Sequence, residues 1–189
     1  MNIIIISGST RVGRRSHQAT IELAKRMAKH NIHTEVIDLA EYKFPMLEDT
    51  ATKHANPPVG LQTFAQKLDA ADAMIFVSPE YHGSYSGALK NAVDYVWKEF
   101  AKKPIGIVTA TTGKFGGINA STQMQLLVLS LGAFPMPYKL LVPFVDEAFD
   151  ENGVLINETI GKSFEKFISE FMWFAEAIVN HKDKVFAKV

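Results

Sequence analysis

The sequence predicts an α/β domain built on a doubly wound, open parallel sheet. Strand and helix patterns alternate along the 189 residues, and the strand segments are continuous apolar runs. A strand that is apolar on both faces needs cover on both, which places helices on each side of a parallel sheet. Right-handed crossovers then leave the open, doubly wound arrangement as the simplest topology. The length fits one domain, residues 1–189, with a full core.

The elements follow in order. Asn2–Ile6 is a buried strand dominated by four isoleucines. From Ser16 to His30, Ala19, Leu23, Met27 and Ala28 recur at helical spacing, and His30-Asn31 closes the helix. His33–Leu39 is β-branched and reads as the second strand, followed by a long loop over 40–58 containing Pro45, Pro57 and Pro58. Leu61, Phe64, Ala65 and Leu68 mark a helix ending near Ala71, and Ala73–Ser78 is the third strand. Ser86–Phe100 reads as a helix stopped before Pro104, Ile105–Ala110 as the fourth strand, and Gln123–Leu131 as a helix. Tyr138–Val142 is a short fifth strand. A last helix, Ile160–Asn180, carries Phe164, Phe167, Ile168, Phe171, Phe174, Ala175 and Ile178 on one face, a core stripe.

Composition removes whole classes of function. The chain has 20 basic and 20 acidic residues, so it lacks the electrostatic footprint of a nucleic-acid binder. It has no cysteine, which rules out disulfides, thiolate metal sites and a cysteine nucleophile. The histidines show no H-x-x-x-H spacing, and no metal site is expected. The N-terminal apolar run is too short for a signal peptide, and no segment reaches the roughly 20 apolar residues of a membrane span. A cytoplasmic protein without membrane contact is the expectation.

Function concentrates in three turns. In an open parallel sheet, ligands bind beyond the carboxyl ends of the strands. The first turn, Ser7-Gly8-Ser9-Thr10-Arg11-Val12-Gly13-Arg14-Arg15-Ser16, runs from a strand into a helix and is rich in hydroxyls and arginine. Free N–H groups and the helix dipole there favour an anion, and the side chains suit a phosphate. The second is Pro79-Glu80-Tyr81-His82-Gly83-Ser84-Tyr85-Ser86-Gly87, an aromatic and polar turn. The third, Thr111-Thr112-Gly113-Lys114-Phe115-Gly116-Gly117, offers glycine backbone that can approach a flat ring. Together they describe a pocket for a phosphorylated planar cofactor.

Familiar phosphate motifs do not account for the first turn. Gly8 to Arg15 nearly fits the nucleoside-triphosphate loop, but Arg14 replaces its lysine and Arg15 its magnesium-holding hydroxyl. The dinucleotide fingerprint lacks its middle glycine between Gly8 and Gly13. A phosphotyrosine phosphatase needs a cysteine. Arg14 and Arg15 stay open between phosphate contact and solvated charge. Glu80 and Tyr81 stay open between ring contact and turn building. Lys90 and Asp94 read as an i,i+4 surface pair. Lys114 and Phe115 are candidates to touch a bound ligand.

The three motifs, in order and similarly spaced over residues 1 to 145, resemble the NADPH-dependent FMN reductase family. They are Gly8-Ser-Thr-Arg11; Pro79-Glu-Tyr-His82 with Gly87-Ala-Leu-Lys-Asn-Ala-Val-Asp94; and Gly113-Lys-Phe-Gly-Gly117. The resemblance implies a flavodoxin-like three-layer sandwich with a five-stranded parallel sheet in order 2-1-3-4-5. It implies bound FMN, with Ser9, Arg11, Ser16, His17 and Gln18 at the phosphate. Pro79, Glu80, Tyr81, His82 and Gly83 would line the isoalloxazine edge, and Thr112, Gly113, Gly116 and Gly117 its pyrimidine side. It implies hydride transfer from NADPH or NADH to the flavin and two electrons passed to a quinone, flavin, azo compound or similar small acceptor. No acid, base or nucleophile is required, so no catalytic side chain is assigned. His82 stands where the family commonly has asparagine, and its imidazole predicts pH-dependent activity. Family members form dimers or dimers of dimers near the flavin, and bulky Tyr95, Val96 and Trp97 are candidates for such a contact. The competing functions are a flavodoxin-type electron carrier, which is usually strongly acidic where this chain is neutral, and a flavin-holding interaction module.

Overall fold

A computed structural model describes residues 1–50, 53 and 56–186, with side chains in the last helix described to His181. Four of the residues in the expected 40–58 loop therefore lie outside the described residues. The elements are β1 (Ile3–Ser7), α1 (Ser16–Lys29), β2 (Thr34–Asp38), α2 (Leu39–Tyr42), α3 (Leu61–Ala70), β3 (Ala73–Ser78), α4 (Gly87–Asp94), β4 (Pro104–Ala110), α5 (Ile118–Ser130), β5 (Phe134–Pro135), β6 (Leu140–Val142), α6 (Val145–Ala148) and α7 (Glu158–Phe186). The sheet runs β2-β1-β3-β4-β5, with β6 also paired to β4, and every pairing is parallel. The chain has the flavodoxin-like α/β architecture, with the strand order reversing between β1 and β3.

Two apolar layers flank the sheet. On one face Ile4, Ile6, Phe76, Ile105 and Ile107 pack with Phe64 and Leu68 of α3, Leu89 and Val93 of α4, and Met124 and Val128 of α5. On the other, Ile3, Ile5, Ile75 and Val108 pack with Leu23 and Met27 of α1 and Phe164, Phe167 and Phe171 of α7. Alternate residues of each strand serve opposite layers, which is why the strands read as unbroken apolar runs. Gly106 lets α7 close on β4: a Cβ there would stand 2.9 Å from the Phe171 ring and 3.0 Å from Phe167. Those two rings stack at 6.1 Å.

Four departures from the sequence reading have local causes. The helix expected to reach Phe100 stops at Asp94; Trp97 leaves helical geometry, its N–H donates to the Glu99 carboxylate at 2.9 Å, and a 3-10 turn follows. The expected strand over Tyr138–Val142 forms only at Leu140–Val142 (β6), along the end of β4, and an additional two-residue strand, Phe134–Pro135 (β5), pairs the start of β4 before it; Pro137, with no N–H for a ladder, lies between them. Asp38 starts α2 inside the expected loop by accepting the Ala40 N–H at 3.0 Å. Helix α5 begins at Ile118, five residues ahead of the reading at Gln123, because a carboxylate from another turn caps it. No described helix is long and apolar enough to cross a membrane.

Candidate functional site

The first turn leaves β1 through Gly8, whose N–H donates to the Val77 carbonyl at 2.8 Å. A Cβ on Gly8 would come within 2.8 Å of that same oxygen, so the turn needs glycine for close approach. Beneath it, the Ser86 hydroxyl donates to the Gly8 carbonyl and accepts the Leu89 N–H, while the Ser86 N–H donates to Ser78 Oγ at 2.9 Å. This buried knot fixes the first turn against the second and starts α4. Farther out, Ser9 Oγ lies 3.3 Å from Tyr81 OH and accepts the Arg11 N–H at 3.4 Å.

The three arginines of the turn do different work. Arg14 is mostly buried; it pairs with the Asp38 carboxylate and donates to the Ser9 carbonyl at 2.8 Å. It holds the turn in shape. Arg15 pairs with Asp146 of α6 at 3.3 Å, across the mouth of the cavity described below. Arg11 is exposed, and among the described residues no carboxylate pairs with it. No described acceptor takes the N–H of Thr10, Val12, Gly13, Arg15 or Ser16 either. A cation and a row of open N–H groups at the start of α1 suit an anion.

The second turn is a two-residue reversal. Tyr81 and Ser84 exchange backbone hydrogen bonds of 2.7 and 3.1 Å, with His82 at φ 51° and Gly83 at φ 78°. Both central residues are left-handed, the geometry for which Asn-Gly is favoured. Asparagine and histidine are among the few L-residues that meet this backbone demand. The His82 ring is exposed. Glu80 reaches into the third turn, accepting the Ala120 N–H at 2.9 Å and standing 3.4 Å from the Asn119 amide. Gly117 precedes α5 and has no side chain to cap it, so Glu80 does so from across the cleft.

In the third turn Thr109 Oγ1 donates to the Gly116 carbonyl at 2.6 Å. Gly116 and Gly117 have φ 60° and 85°, and a Cβ on either would stand within 3 Å of Leu141 or Thr109. These two glycines seat the turn flat on β4 and β6. Lys114 lies 4.9 Å over the exposed Phe115 ring.

The turns enclose a cavity of about 420 Å³. Of the expected residues, Ser9, Arg11, Ser16, Pro79, Glu80, Tyr81 and Thr112 line it. His82, Gly83, Gly113, Gly116 and Gly117 build the turns around it without forming its wall. His17 and Gln18 point elsewhere. His17 Nδ1 is 3.0 Å from Ser7 Oγ and 3.7 Å from Asp38, and burial lowers its pKa against the opposing pull of Asp38. The Gln18 carbonyl oxygen is buried without a partner, and its amide nitrogen lies beside Gly153. The sequence reading missed Asp38, which shapes the first turn, and Val145 and Asp146, which close one wall. A larger concavity of about 760 Å³ opens at the opposite edge of the sheet, between β2 and α3. It lies away from the carboxyl ends of the strands, where this architecture binds ligands.

An anion-ready turn at the strand-order reversal, flanked by two further turns in a flavodoxin-like sheet, defines a nucleotide-type binding site. Residues 1–147 match the NADPH-dependent FMN reductase family, and the chain belongs to that family. It is an oxidoreductase, an NAD(P)H–FMN oxidoreductase with FMN and NADPH as cofactors. It is similar to the FMN-dependent NADPH-azoreductase of Staphylococcus saprophyticus, with 30% identity over 184 residues covering 93% of this chain and 96% of the relative. Among solved structures it is similar to FerB, a flavoenzyme NAD(P)H:(acceptor) oxidoreductase from Paracoccus denitrificans, with TM-score 0.80 and 22% identity over 94% of this chain and 98% of that one. It also resembles oxidised flavodoxin 1 from Bacillus cereus, with TM-score 0.58 and 15% identity over 91% and 97%.

Proposed function

We propose that FMN occupies the 420 Å³ cavity and that electrons from NADPH leave this site to a small quinone, flavin or azo-type acceptor. The observation that carries the reading is Arg11, which no carboxylate pairs among the described residues, beside the open N–H groups of Thr10, Val12, Gly13, Arg15 and Ser16 at the strand-order reversal. The residues fit the cofactor. Ser9, Arg11 and Ser16, with the N–H of His17, bind the phosphate. Pro79, Glu80, Tyr81, His82 and Gly83 border the ring edge, with Glu80 acting through its hold on α5. Thr112 lines the cavity, and the turn of Gly113, Gly116 and Gly117 behind it would bring backbone toward the pyrimidine side, where free N–H groups would stabilise negative charge. The His17 and Gln18 side chains serve the turn and its packing. Bound flavin supplies hydride acceptance and two-electron donation; the protein supplies binding and orientation.

The apolar outer face of α5 supports a homodimer or homotetramer. Ile118, Leu126 and Leu129 are exposed on it, at 47%, 56% and 58%, while Met124 and Val128 are buried on the inner side. A helix apolar on both faces is normally covered on both. Of the bulky trio after α4, Tyr95 and Val96 are buried and only Trp97 is exposed. The cysteine-free sequence supports a cytoplasmic setting.

Titration of the protein with FMN, followed by flavin fluorescence, tests the site. Arg11→Ala is expected to weaken FMN about tenfold or more, the loss of one charge-assisted phosphate contact, and to leave riboflavin binding unchanged. Absence of any FMN binding by the wild type would overturn the reading.

A further inference from the structure

A second cavity, about 360 Å³, lies on the other side of the first turn, between α2 and α4. Its size falls within the roughly 300–1,000 Å³ range of small-molecule sites. Leu39, Phe44 and Ala92 give it an apolar floor, and Thr10, Lys43 and Asn91 lie at its polar edge. No acidic residue lines it. Asn91 is already committed, accepting the Leu47 N–H at 2.9 Å and donating to the Pro45 carbonyl at 2.6 Å. Lys43 is not: among the described residues no carboxylate pairs with its ammonium group. It ends α2 at φ 48°, a conformation that glycine takes at lower cost than lysine does.

The two cavities share a wall. Ser9 and Arg11 line the larger one and Thr10 the smaller, so residues 9–11 of the first turn stand between them. We propose that the second cavity receives the adenosine end of NADPH. The apolar floor takes the purine, and Lys43 takes the 2′-phosphate as a point charge. The inference rests on the flavin reading above, because the nicotinamide end must then reach the larger cavity.

Calorimetric titration of the FMN-loaded protein with adenosine 2′,5′-bisphosphate, and separately with AMP, tests it. The bisphosphate is expected to bind the wild type about tenfold more tightly than AMP, the scale of one charge-assisted phosphate contact. Lys43→Met is expected to bring the two affinities together without changing that of AMP. Ala88→Trp, which fills the cavity from its rim, is expected to weaken both nucleotides. In turnover, Lys43→Met raises KM for NADPH by about the same factor and leaves kcat unchanged. A bisphosphate preference in Lys43→Met equal to that of the wild type overturns the proposal, and retained FMN fluorescence quenching in that sample leaves the flavin reading standing. Lys43 is exposed, so this variant decides the matter even where Ala88→Trp fails to fold.

Discussion

At the residue scale, His82 combines two properties that a substitution can separate. Its backbone must be left-handed for the Tyr81–Ser84 reversal, and its exposed imidazole stands at the tip of a turn that borders the cavity. Asparagine satisfies the backbone equally well but does not titrate. His82→Asn is therefore expected to keep FMN affinity within about twofold, since the backbone bonds survive. The same variant is expected to change how turnover depends on pH, because an ionisable ring is replaced by a neutral amide. A pH–rate profile that is the same in both proteins would remove the imidazole from the reaction. Arg11, Arg14 and Arg15 make the complementary point. They are chemically identical and nearly adjacent, and only their partners distinguish a free cation from a turn brace and a cross-cavity pair.

At the scale of elements, the carboxyl end of β2 controls the turn that leaves β1. Asp38 holds Arg14, caps α2 and lies near His17, so one carboxylate sets three neighbouring segments. Arg14→Met leaves that carboxylate buried without its cation. The expected cost is about 3 kcal/mol of stability, read from urea unfolding. Adding Asp38→Asn to Arg14→Met is expected to recover much of that loss, because the uncompensated charge is then gone. Glu80 links elements in the same manner, since its carboxylate completes α5 while its own turn borders the cavity.

At the scale of the molecule, two acid-sensitive groups predict how stability falls with pH. Burial holds the His17 pKa below its ordinary 6.5, so the unfolded chain binds the proton first and stability declines as pH drops through that value. Glu165 of α7 is partly buried, which would raise its pKa, but hydrogen bonds from His30 and Arg26 bring it below 4.5. That contribution persists to lower pH and disappears only as the carboxylate protonates. Thermal unfolding is expected to show Tm falling in two stages, one below about pH 6.5 and one below about pH 4.5. Both stages act through α1: His17 stands in its first turn, and His30 follows its last residue. For assembly, Leu126→Glu with Leu129→Glu places charges on the uncovered face of α5. Sedimentation is expected to show an oligomer in the wild type and a monomer in the double variant.

The alternation of the main strands and helices, the parallel sheet and the three turns at its carboxyl edge follow from the sequence alone, because they rest on local patterns: apolar runs, helical spacing, and glycines and hydroxyls where strands end. Element ends were less legible. Helix α5 starts where a carboxylate 38 residues before Ile118 caps it, and the two-residue β5 ahead of the expected Tyr138–Val142 strand carries no apolar run of its own. The site divides the same way. Ser9, Arg11 and Gly117 are visible in a motif, whereas the bracing of Arg14 by Asp38, the turning away of His17 and Gln18, and the wall made by Val145 and Asp146 depend on segments far apart in the chain. Local steric and solvation preferences belong to a residue and its neighbours and can be read one stretch at a time. Which charge meets which partner, and which side chain faces a cavity, is decided only when distant segments pack together.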